Sequence, residues 1–170
     1  MHAVIIAMII TWGRVAGVSD ITLARFVTRV RKTIPLPGLV NVVVTSNSEM
    51  KRLNGKFRGK DEPTDVLSFP SGERGGLAGE IAISHEIAKE NAGRLGHSIT
   101  EEIKILILHG MLHLAGYDHE DDGEKMARKE HNLRKALRLP DALIERSMTR
   151  PRATGRPTKT KLGRVKETKR

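Results

Sequence analysis

Apolar positions along this chain switch repeatedly between short β-branched runs and stretches with the 3.6-residue period of a helix. The opening run, MHAVIIAMII, stops at Thr11. It is too short for the roughly 20 apolar residues that span a bilayer, and it lacks the basic start and small-residue cleavage site of an export signal. It predicts a buried first strand. Ser19 or Asp20 caps a helix to about Thr33, with Ile21, Ala24 and Val27 or Thr28 along its apolar face, and Pro35 and Pro37 end it. LVNVVVT, residues 39–45, is a strand. A helix follows from Ser46 or Ser48 with Met50, Leu53 and Phe57 inward, and Arg58 to Pro63 forms a polar loop.

The second half alternates in the same way. Residues 65–69, closed by Pro70, predict a short edge strand, because proline cannot donate to a ladder. A glycine-rich turn leads to GEIAIS, residues 79–84, a second strand, and Ser84 caps a helix from His85 to about Leu95. Ser98 and Glu101 stand at the spacing of a capping box. Beyond them, residues 103–115 are apolar all round except Lys104 and two histidines, the pattern of a helix buried inside a protein. Glu120, Asp121 and Asp122 suit the N-terminus of a last helix, on which Met126, Leu133 and Leu137 recur until Pro140.

Composition changes this picture in three places. Hydrophobic residues make up 38% of the 170, but aromatics only 3%, so the core is aliphatic. One Trp, one Tyr and three Phe also argue against a platform for stacking bases. The absence of cysteine excludes disulfides, thiolate metal sites and a cysteine nucleophile, and it fits a reducing compartment. The charge of +10 is unevenly spread: residues 147–170 hold nine Lys or Arg and one acid, leaving about +2 for the body. We divide the chain into a folded domain, 1–147, and a basic, disordered tail, 148–170, able to give salt-sensitive contacts with phosphates. No membrane partner is expected.

The chemistry concentrates in HGMLHLAGYDH, residues 109–119. Residues four apart on a helix lie about 6 Å apart along the axis and about 40° apart in rotation. His109 and His113 therefore point the same way. Gly116 can take the left-handed conformation that ends a helix and returns the chain, bringing His119 to the same place. Three neutral imidazoles hold zinc and leave one position open, the arrangement of a catalytic site; nickel, copper or iron also suit such ligands. The spacing matches H-E-x-x-H-x-x-G-x-x-H of the metzincin proteases except that Gly110 replaces the glutamate that acts as base. That weakens a peptidase reading. Asp118 and Glu120 flank the third histidine and can orient a ligand or accept a proton. Tyr117, Asp65, Glu80 and His85 are weaker candidates, and His2, His97 and His131 look ordinary.

Together with RGKDEPTDVLSFP and GEIAIS, this signature closely resembles the YbeY family of bacterial rRNA maturation factors, over about Val40 to Leu139. The resemblance implies a small α+β domain, a mixed sheet of about four strands flanked by helices, with a zincin-like metal-site helix. It also implies a metal-dependent, single-strand-specific endoribonuclease of the cytoplasm, acting in 16S rRNA 3′-end maturation and ribosome quality control. Ribosomal RNA, the ribosome and its proteins would then be the partners. His109, His113 and His119 fall on the family's zinc ligands, and Arg58 on its functionally important arginine. A fixed guanidinium suits the charge that builds on phosphorus during phosphodiester cleavage. Arg58 and Asp118 are thus the catalytic candidates. The alternatives are a metzincin-like zinc peptidase and a non-catalytic ribosome assembly factor with a structural metal.

Overall fold

Four short strands give the sheet its frame, and a helix separates each from the next in the chain except the last two. The computed structural model describes residues 7–11, 15, 17–72, 76–117 and 119–140, with side chains described except at 7–11 and 119–123. Strand β1 (Ala7–Thr11) is followed by helix α1 (Asp20–Arg31) and strand β2 (Leu39–Thr45), which pairs with β1 in parallel. Helix α2 (Asn47–Arg58) leads to strand β3 (Val66–Pro70), antiparallel to β4 (Leu77–Ser84), and β4 lies parallel to β2. The order is β1-β2-β4-β3. Helices α3 (His85–Leu95), α4 (Ile99–Leu114) and α5 (His119–Leu137) complete the described chain. This is the mixed sheet and α+β class expected, with β3 as an edge.

Side-chain alternation divides the sheet into two unlike faces. Val40, Val42, Val44, Ile81 and Ile83 are fully buried in the main core with α1 and α4. On the other face, Leu67 and Ala82 meet Met50 of α2 in a smaller cluster, with Leu53 and Phe69 beside it. Helix α1 turns in Leu23, Phe26, Val27 and Val30. The face predicted from Ile21 and Ala24 is therefore wrong in part, and Ile21 is 67% exposed. Two residues apart on a helix means about 200° of rotation, so Ile21 and Leu23 cannot both face the core, and the stripe with more large side chains wins.

Helix ends follow the local chemistry. Ser19, Ser46, Ser84 and Ser98 are N-caps, each accepting from a backbone N–H three residues on. At Ser98 the box closes: the Glu101 carboxylate accepts from the Ser98 backbone N–H at 2.8 Å, and Ser98 Oγ accepts from the Glu101 N–H at 3.2 Å. The Ser98 backbone N–H, and after it the Ser98 hydroxyl, which donates to the same carboxylate at 2.8 Å, hold the Glu101 carboxyl below the usual carboxylate range. A carboxylate with a depressed folded-state pKa contributes stability that is present above its unfolded pKa and lost as pH falls through the folded value. Glu101→Gln is expected to unfold at lower denaturant than wild type at pH 7. The gap should close below the ordinary carboxylate range; a gap that persists at pH 2 would refute this role for the charge.

Candidate functional site

Helix α4 runs under β3 and β4 and delivers two imidazoles at its C-terminal end. His109 is buried and His113 half-buried. Their Nε2 atoms face each other at 3.2 Å, with the rings edge-on. Two corners of a tetrahedral zinc site with bonds of about 2.0–2.1 Å lie roughly 3.3 Å apart, so this pair is spaced to share one such ion. Gly116 has φ +85°, and its N–H reaches the His113 carbonyl at 3.0 Å, ending the helix as the left-handed conformation allows. Helix α5 then begins at His119. The side chain of His119, all of Asp118 and the side chain of Glu120 lie outside the described residues. Among the described residues no three potential ligands form a cluster.

Behind His109 stands a group that sequence reasoning missed. Glu130, fully buried on α5, accepts from His109 Nδ1 at 3.0 Å. Its other oxygen pairs with Arg134 at 3.3 Å, and Arg134 also donates to the Pro140 carbonyl. A carboxylate on Nδ1 fixes the ring's orientation and keeps a proton on that nitrogen, which leaves Nε2, facing His113, as the atom that would ligate a metal. The signal was present in the sequence. Met126, Glu130, Leu133, Arg134 and Leu137 recur at steps of three and four, so an acid and a base four apart sit on the stripe that α5 buries. Charged residues there must pair with something.

Gly110 has a packing reason. A Cβ at this position would stand 2.9 Å from Ser68 Oγ and 3.0 Å from two carbons of Ile81. The helix lies so close on β3 and β4 that any side chain where the metzincin base belongs would have to push Ser68 or Ile81 aside. Gly110→Ala is expected to lower stability even though alanine gains up to about 1 kcal/mol of helix propensity, because overpacking costs about 1–3 kcal/mol. An unfolding midpoint equal to or above wild type would show that the contact relaxes freely.

Arg58 ends α2, exposed, and Gly59 caps that helix in the left-handed conformation. The expected loop therefore begins one residue later. Among the described residues Arg58 makes no hydrogen bond or ion pair, and none joins it to the histidines. It lies across the edge strand from them. Phe57 meets Phe69 of β3 at 4.9 Å between centroids, while the adjacent Ser68, on the opposite face, donates to the Gly110 carbonyl at 3.4 Å. Arg58 and the imidazoles thus stand at the same end of the sheet, on its two faces.

The sequence model of the family Endoribonuclease YbeY matches residues 20–138. The Endoribonuclease YbeY of Koribacter versatilis is 54% identical over 144 residues, covering 85% of this chain and 93% of that protein. The chain belongs to the YbeY family. Its relative in Solibacter usitatus is 48% identical over 122 residues, 72% of this chain and 82% of that one. A Thermotoga maritima protein solved in solution superposes with a TM-score of 0.50 at 35% identity, over 77% of this chain and 92% of that one. The region matched to YbeY holds Arg58, all three histidines, Asp118 and Glu130.

Two of the other histidines, His97 and His85, have structural partners. His97 Nε2 meets the fully buried Glu102 at 2.7 Å, tying the α3–α4 turn to α4. His85 Nδ1 lies 3.0 Å from the Thr45 carbonyl, at the end of β2. Glu80 is exposed on the face away from α4, bonded by Asn41 at 3.4 Å, and Asp65 accepts from the Val66 N–H at 2.9 Å. Among the described residues no helix is long and apolar enough to cross a membrane.

Proposed function

We propose that this protein is a zinc-dependent endoribonuclease specific for single-stranded RNA, with His109, His113 and His119 as the metal ligands. The observation that carries the reading is the pair of facing Nε2 atoms 3.2 Å apart, held from behind by a buried carboxylate, in a chain of the YbeY family. Zinc held by these residues would supply Lewis acidity toward a phosphodiester oxygen and would acidify water toward neutral pH. The chain's own groups do the rest. Glu130 keeps His109 in the ligating tautomer, Gly110 lets α4 lie flat against the sheet, and Arg58 reaches round the edge strand to the scissile phosphate. Its planar fork matches two phosphoryl oxygens as negative charge develops. Asp118 is assigned the proton acceptor beside the third ligand.

The biological setting follows from the same family: maturation of the 16S rRNA 3′ end and quality control of 70S ribosomes in the cytoplasm, with ribosomal RNA, the ribosome and ribosomal proteins as partners. One assay separates this reading from a peptidase and from a non-catalytic assembly factor. Purified protein, metal-replete or chelated, is offered single-stranded RNA, duplex RNA and casein. Metal-dependent cleavage of single-stranded RNA alone is expected; cleavage of casein, or of nothing, overturns the reading. Arg58→Lys keeps the charge and loses the fork. Cleavage should fall on the order of 10²-fold with zinc content unchanged, and near-normal cleavage would remove Arg58 from the mechanism.

A further inference from the structure

A second site lies on the far face of the sheet from the histidines. Helix α2 covers that face only in part, leaving a groove of about 540 Å³ floored by Val43, Leu53 and Ala82. Phe57 and Phe69 line it, their rings tilted at 59°, and Phe57 is 56% exposed. Lys56 Nζ stands 5.1 Å from the Phe57 centroid. Across the groove is Glu80, its carboxylate exposed and, among the described residues, held only by the long bond from Asn41.

The charges around the groove are sorted. Lys51 and Arg52 of α2 are committed to Asp61 and Glu49. Among the described residues Lys56, Arg58 and Lys60 are in no ion pair, and all three are exposed at one helix end. An exposed aromatic ring, free cations on the same turn and a carboxylate opposite match one ligand class. A nucleotide of single-stranded RNA has a π-face to stack, phosphates to neutralise and, on adenine, cytosine and guanine, an exocyclic amine that donates to a carboxylate. Composition alone argued against a stacking platform, but two of the three phenylalanines converge here.

We propose that this groove is a nucleobase subsite for single-stranded RNA, resting on the ribonuclease reading above. One base leaves its stack and lies on Phe57 beside Phe69. Lys56 and Lys60 take the flanking phosphates, Arg58 being kept for the scissile one, and Glu80 accepts from the exocyclic amine. Uracil, which has no such amine, is the base the subsite holds least well. The RNA therefore passes round the edge strand β3, anchored on one face and cleaved on the other.

The test uses the full chain and 2′-O-methyl hexanucleotides, which bind without being cut, with dissociation constants from fluorescence anisotropy. Phe57→Leu is expected to weaken oligo-C and oligo-A binding about tenfold, in the range of one lost base stack, and Phe57→Trp to restore it. Glu80→Gln should narrow the preference for oligo-C over oligo-U. Phe57 is more than half exposed, so neither substitution disturbs the core, and NMR shifts at Val43, Leu53 and Ala82 on adding oligo-C report occupancy directly. The subsite is overturned if Phe57→Leu binds as wild type, if Phe57→Trp is as weak as Phe57→Leu, or if those three signals stay still while His113 shifts. It is also overturned if the three signals move only with an extended apolar peptide. Wild-type protein that neither binds nor cleaves single-stranded RNA refutes the ribonuclease reading itself, which distinguishes the two failures.

Discussion

His113→Ala is expected to reduce cleavage of single-stranded RNA to the level of the chelated wild-type protein, with bound zinc falling in parallel. His113 gives up one of the two Nε2 atoms that face each other at the end of α4, and a site of three imidazoles reduced to two cannot fix the ion's geometry. The ring is only half-buried, so its loss leaves the packing of Leu108, Met111 and Leu112 in place. Thermal unfolding of the metal-free proteins should therefore differ little. Elemental analysis of the purified variant, beside a cleavage time course, checks both expectations. Wild-type cleavage by a zinc-free variant would sink the metal mechanism.

Glu130→Ala should act on stability and on the metal together. Removing the carboxylate takes away the ring partner of His109 and the buried counter-charge of Arg134, which is 2% exposed. Breaking a buried ion pair from one side costs about 3–5 kcal/mol, since the remaining charge is left in the interior. Losing the carboxylate behind a ligand histidine weakens metal binding about 10–100-fold. Glu130→Gln separates the two effects. Its amide oxygen can still accept from Nδ1, so the ring stays oriented while the charge is gone. We expect Gln to recover much of the zinc affinity and little of the stability. Denaturant unfolding of the metal-free protein and a competitive zinc titration measure the two quantities independently. Equal zinc affinity in wild type and Glu130→Ala would show that His109 is oriented by its packing alone.

What could be read from the residues was mostly what neighbouring residues decide among themselves. Ser98 and Glu101 meet three positions apart, Gly116 needs only its own missing Cβ, and residues 39–45 show their strand character in β-branching. These matched the structure. The face of α1 did not, because Ile21 and Leu23 compete for the core and only the packed sheet settles which stripe wins. The need for glycine at 110 comes from Ser68 and Ile81, far away in the chain, so sequence spacing shows the missing base without its cause. Glu130 is marked by nothing beside it in the sequence; only its place on the stripe that α5 buries sets it apart from the other acids of that helix. Phe57 erred the opposite way, an apolar residue at a core spacing on a helix whose sheet face stops short of covering it.

Strand β3 has a bearing on association as well. It is one of the two outer strands of the sheet, five residues long, and its last position is Pro70. An unpaired rim of backbone donors and acceptors invites a strand from another molecule, and natural edges are kept short or interrupted by proline to prevent it. Here the rim is brief, and it ends on a residue with no hydrogen to offer. A neighbouring copy finds little to zip onto. If RNA wraps this border as proposed, it meets side chains on either side across a strand that offers little to a second polypeptide.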